Sequence, residues 1–171
     1  MFTQEQIAAK VAELGQAISH DLANKNPLVI GVLRGVVCFA ADLIRHITIP
    51  MTLDFMAISQ YSPSAGRRGG GVRITKDLEQ SITGRHVLFV EDVIDTGLTL
   101  NYLLRTLRTR RPASIQVAVM FDRPYRRLID IPVIYRGFEL PDEFVVGYGL
   151  DANDHYRNLP YVGVLKQNHG E

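Results

Sequence analysis

Residues 87–100, "VLFVEDVIDTGLTL", carry the densest chemistry in the chain. An apolar run is followed at once by Glu91 and Asp92, then by Asp95, Thr96, Gly97, Leu98 and Thr99. Carboxylates at the exit of a core strand are costly to desolvate, and a fold alone has little use for three of them. A polyhydroxylated, cationic or metal-bound substrate does. Beyond Asp95, two hydroxyls, a glycine that lets backbone approach and the N–H groups of a helix start form a cradle suited to phosphate. Carboxylates next to that cradle would repel the ligand unless ribose hydroxyls or Mg2+ stood between them. The pattern asks for a sugar phosphate.

Two plainer readings compete. A Walker B strand also ends in acidic residues, but it requires a G-x-x-x-x-G-K-[ST] loop, which the sequence lacks. Acidic capping accounts for Asp95 ahead of Thr96 as a helix N-cap, but not for Glu91-Asp92 directly after the apolar run.

The elements that must hold these residues are legible in outline. Thr3 and Gln6 form a capping-box pattern, and Ile7, Val11, Leu14, Ile18 and Leu22 then mark one helix face. "LVIGVL" (28–33) reads as a buried strand, Gly35 opens an apolar helix to about Ile47, and "MTLDFMAI" (51–58) is a second strand. The polar, Gly-rich segment 59–71 reads as a mobile loop or hairpin tip. "HVLFVED" leads to a helix from Leu98 to about Arg110, and "SIQVAVMF", "PVIYRGF" and "EFVVGYG" read as later strands. This alternation predicts one α/β domain over 1–171, a mainly parallel twisted sheet flanked by helices on both faces. Four strand ends then deliver Arg34, the carboxylates, Arg123 and Asp151 to one crevice.

Composition narrows the class. Of 171 residues, 46% are hydrophobic and 22% charged, as in ordinary globular chains, and no apolar run approaches a membrane span. The single cysteine, Cys38, excludes an internal disulfide and fits a reducing compartment, so a cytoplasmic enzyme is expected. A net charge of +1 gives nucleic acid no bulk attraction, and the five histidines show no zinc-ligand spacing.

"VLFVEDVIDTGLTL" resembles the 5-phosphoribosyl-1-pyrophosphate (PRPP) signature of type I phosphoribosyltransferases. "GVLRG", "DFMAISQY", "GRHVLFVED" and "GFELPDEFVVGYGLDANDHYRNLPYVGVL" narrow the resemblance to the hypoxanthine–guanine phosphoribosyltransferases, over about residues 28–165. It implies that family's fold, with a small hood from the terminal segments, and transfer of phosphoribose from PRPP to N9 of a 6-oxopurine. By match, Glu91 and Asp92 would hold the ribose, Asp95 would act as general acid or base at purine N7, and Thr96, Gly97, Leu98 and Thr99 would hold the 5′-phosphate. Leu33, Arg34 and Gly35 match the pyrophosphate loop, where the family has a non-proline cis peptide. Arg157 matches the arginine that pairs with pyrophosphate, Asp151 the Mg2+ ligand, and Phe144 and Val145 the residues that stack on and read the base. Phe144 also fits a plain core position in a strand.

Two departures stand out. Arg123 occupies the place of the family's purine-reading lysine, which keeps a permanent donor but leaves the ranking of hypoxanthine, guanine and xanthine open. Gln60-Tyr61 replaces the loop's usual Ser-Tyr, with Tyr61 still able to cover the pyrophosphate. The resemblance implies a homodimer or homotetramer, and the apolar helix after Gly35 could supply an interface. A non-catalytic regulator that senses PRPP or nucleotides on the same fold is the alternative; it predicts a broad basic face and loss of Asp95 or of the pyrophosphate loop.

Overall fold

The structure, a computed structural model, describes residues 1–61 and 71–166. Thr3 opens α1 (Gln4–Asp21) through the expected capping box: its hydroxyl accepts from the Gln6 N–H, and the Gln6 side chain accepts from the Thr3 N–H. The chain continues through β1 (Leu28–Leu33), α2 (Val37–His46), β2 (Thr52–Tyr61), β3 (Gly71–Lys76) and β4 (His86–Ile94). It then forms α3 (Leu98–Arg108), β5 (Ser114–Asp122), β6 (Tyr135–Glu139), β7 (Val145–Val146) and β8 (Gly163–Val164).

Six strands form one sheet in the order β3-β2-β1-β4-β5-β6, parallel except for the β2–β3 hairpin. Strand periodicity divides the core into two layers. On β4, Leu88 and Val90 face the layer filled by α1 and α2, while Val87 and Phe89 face the layer filled by Leu100, Leu103, Leu104 and Leu107 of α3. Helices therefore cover both faces, and the central strands β1, β4 and β5 bury side chains on both of them.

Three expectations change. "EFVVGYG" is not a strand of the main sheet: only β7 is extended, and it pairs with β8 in a separate two-stranded hood. The positive φ values of Gly147 (104°) and Gly149 (95°) turn the chain out of extension directly after β7. Phe2 bridges Val162 in the same hood, with backbone N–H···O distances of 3.0 Å in both directions. Asp151 therefore arrives from the hood rather than from a sheet strand. The helix expected from Gly35 starts at Val37, since 34–36 form a turn, and α3 ends two residues earlier than expected. The loop over 59–71 is described only at its ends, where Tyr61 pairs with Gly71; the rest, and the side chain of Tyr61, lie outside the described residues.

Candidate active site

β1 hydrogen-bonds to β2 on one side and β4 on the other, and the chain leaves β1 toward one face and β4 toward the opposite face. Such a switch point opens a crevice at the carboxyl ends of the strands. Here it holds a cavity of about 270 Å3 lined by Leu33, Arg34, Gly35, Glu91, Asp92, Asp95, Thr96, Gly97 and Thr99. Leu98, half-exposed at the start of α3, does not line it. The peptide between Leu33 and Arg34 is cis. Gly35 packs so tightly on β4 that a Cβ there would enter the Asp92 carboxyl.

The carboxylates of β4 differ in their surroundings. Burial, then the neighbouring Asp92 charge, holds the Glu91 carboxyl well above the usual range. Burial lifts Asp92 to about 6, although the Val93 N–H donates to its Oδ1 at 2.8 Å and opposes the rise. The charge of Asp151 pushes Asp92 upward too, which ties the hood carboxylate to the same electrostatic site.

Asp95 is not a helix cap. Gly97, at φ 80°, takes the N-cap position of α3, with no side-chain cap bond. Asp95 Oδ2 instead lies 3.4 Å from Arg126 Nη1, on the single 3-10 turn after β5. That contact was not visible from sequence, since the partners lie 31 residues apart and "RPYRR" reads as a solvated basic run.

A second cavity of about 220 Å3 adjoins the first, sharing Asp92 and Asp95 and adding Arg123, Phe144, Val145 and Asp151. Phe144 is 46% exposed, so the core reading fails for it, whereas Val145 is buried. Arg123 Nη2 donates to the Glu143 carbonyl at 2.7 Å, fixing the turn after β5 to the segment that carries Phe144. Arg157 Nη2 lies 2.8 Å from Asp151 Oδ1, and its Nη1 donates to the Gly149 carbonyl at 2.8 Å. Asp154, not singled out from sequence, joins Arg157 to Arg34.

Among the described residues, Glu91 Oε2, Asp95 Oδ1 and Arg123 Nε are shut off from solvent without a hydrogen-bond partner. Buried polar atoms are usually satisfied, so each such atom needs an explanation. All three belong to residues lining these adjoining cavities. Two further such atoms, Asp122 Oδ2 and Arg127 Nε, belong to the ion-pair cluster of Asp122 with Arg127 and Arg136. A cavity of about 600 Å3 between α1, α2 and the hood contains none of the residues expected to act on substrate.

The phosphoribosyl transferase domain model matches residues 1–153. The chain is 47% identical to the hypoxanthine-guanine phosphoribosyltransferase of Streptococcus thermophilus over 98% of this chain and 92% of that protein. It is 48% identical to that of Bacillus subtilis over 97% and 92%. A solved hypoxanthine phosphoribosyltransferase from Staphylococcus aureus superposes with a TM-score of 0.91 at 41% identity, covering 97% of this chain and 90% of that one. A hypoxanthine-guanine phosphoribosyltransferase from Bacillus anthracis, solved with a HEPES molecule in its active site, gives 0.91 at 41%, covering 97% of both chains.

Proposed function

The chain belongs to the phosphoribosyl transferase domain family, and from that premise we propose how its site transfers phosphoribose from PRPP to N9 of a 6-oxopurine in purine salvage. The observation that carries the reading is the chemistry of the three partnerless atoms. Glu91 Oε2 can accept from a ribose hydroxyl, Asp95 Oδ1 can accept from purine N7–H, and Arg123 Nε can donate to the 6-oxo group. An acceptor, an acceptor and a donor, ordered from the phosphate cavity into the base cavity, match phosphoribose joined to a 6-oxopurine.

As the bond from N9 to C1′ forms, the bond from C1′ to the pyrophosphate oxygen breaks, and its electron pair leaves with pyrophosphate. Asp95 takes the N7 proton at Oδ1, and Arg126 beside Oδ2 keeps the carboxylate aimed at the base. Arg34 and Arg157 meet the charge growing on the leaving group. Thr96, Gly97 and Thr99 hold the 5′-phosphate at the start of α3. Phe144 offers its exposed ring to the purine face, and Val145 walls the same cavity.

Mg2+ fits the donor set. Asp92 and Asp151 line one cavity and repel each other, and Glu91 adds a carboxylate oxygen without a partner. Asp151, with Asp92 or Glu91, would hold the ion, which takes only one or two protein carboxylates. When bound it would neutralise pyrophosphate charge.

The test is nucleotide formation from PRPP and Mg2+ with hypoxanthine, guanine, xanthine or adenine, beside Asp95→Asn. IMP or GMP formation that falls by roughly 10²- to 10⁴-fold in the variant, with its melting temperature kept, is expected. Absence of product from every base, with PRPP still bound, would overturn the reading in favour of a nucleotide sensor.

A further inference from the structure

Arg34 and Arg157 do not stand open to an incoming pyrophosphate. Arg34 Nη2 lies 2.7 Å from Asp154 Oδ1, and Arg157 Nη2 lies 3.2 Å from the same oxygen. A single carboxylate oxygen thus joins two guanidinium groups brought from separate segments, the turn after β1 and the hood. The hood turn is shaped to present it: Asn153 and Asp154 both take positive φ, 51° and 64°, and the Asp154 N–H donates to Asp151 Oδ2 at 2.8 Å. Arg157 is held from behind by the Gly149 carbonyl and Asp151, so its second contact with Asp154 is not needed to fix it.

We propose that Asp154 is an internal stand-in for pyrophosphate, an anion that occupies the arginine pair in the free protein, yields it to PRPP, and retakes it as pyrophosphate leaves. The inference rests on the reading of Arg34 and Arg157 as the pyrophosphate clamp. Carboxylate and phosphate oxygens seek the same guanidinium N–H groups, so both cannot hold the pair at once. The side chains of Arg34 and Asp154 are 69% and 59% exposed, and an ion pair so open to water is weak enough for a multiply charged phosphate to displace. A buried clamp would resist the exchange. Product departure limits the turnover of many enzymes, and a tethered competing anion speeds that step without entering the chemistry.

Steady-state kinetics of wild type and Asp154→Asn, with Mg2+-pyrophosphate as product inhibitor, test the idea. Asparagine keeps the shape of the turn and its backbone N–H but removes the competing charge. The expected result is a pyrophosphate inhibition constant and a KM for PRPP that both fall roughly two- to fivefold, the size set by an exposed ion pair, with kcat falling rather than rising. Asp154→Glu, which restores the charge, should return all three toward wild type. A crystal structure of the wild type with Mg2+-pyrophosphate should show Asp154 turned away from both arginines.

Weaker or unchanged pyrophosphate inhibition in Asp154→Asn, or Asp154 still bridging the arginines beside bound pyrophosphate, would overturn the proposal. A wild-type protein that forms nucleotide but is not inhibited by pyrophosphate would instead refute the clamp itself, and one that forms no nucleotide would refute the proposed function, which separates the failures.

Discussion

Gly35 and Asp92 meet across the switch point, with no room between them for even a methyl group. The first lies in the loop after β1 proposed to hold pyrophosphate and the second among the β4 carboxylates proposed to hold ribose, so on that reading their contact sets the spacing between ribose and pyrophosphate. Gly35→Ala must push either the loop outward or Asp92 off its hydrogen bond with Val93. We expect a loss of about 1–3 kcal/mol in stability, the usual cost of overpacking, together with at least a tenfold rise in KM for PRPP. Denaturant unfolding and PRPP titration measure the two effects; a variant as stable as wild type with unchanged KM would show that the loop tolerates displacement.

The raised pKa of Asp92 gives stability a pH dependence with a definite sign. Its folded value, about 6, exceeds the ordinary 3.8, so the folded protein holds the proton more tightly than the unfolded chain does. The stabilisation is complete below about pH 4, declines as pH rises through 6, and is absent at pH 8. Asp92→Asn removes the ionising group while keeping an oxygen for the Val93 N–H. Without ligand it should therefore exceed wild type by up to about 3 kcal/mol at pH 8, and the gap should shrink toward pH 5. PRPP binding should weaken in the same variant. Urea unfolding at the two pH values is the check, and an equal gap at both would remove Asp92 as the cause.

On the proposed reading, base recognition divides between Arg123 and Phe144, which line one cavity. Lysine at 123 keeps a charge but cannot reach both the Glu143 carbonyl and the purine with a planar fork. Arg123→Lys should raise KM for the base several-fold with kcat less affected, and change the ratio of guanine to xanthine use. Phe144→Ala should raise KM for every purine by roughly tenfold, the scale of one lost stacking contact, and leave KM for PRPP in place. Equal losses toward base and PRPP in either variant would place that side chain outside the base pocket.

Much of this arrangement was legible in the chain because it is local. The exit of β4, the cradle at the start of α3 and the loop after β1 are short runs whose residue types state their chemistry. The hood was legible only in part: "EFVVGYG" has the apolar run of a buried strand, and only the positive φ at Gly147 and Gly149 shows that the run is cut after two residues. Arg126 and Asp154 carried no signal at all. Each looks like a solvated charge in its own segment, and its meaning comes from a partner 31 or 120 residues away.

The pairing of Phe2 with Val162 joins stretches separated by nearly the whole described chain, and the Phe2 ring stacks on Phe138 with centroids 4.3 Å apart. Contacts of such sequence separation close late, after local ones have formed. The wall bearing Phe144 is tied to both ends of the described chain, and loss of the Phe2–Val162 pairing should loosen it before it disturbs the carboxylate crevice between β1 and β4.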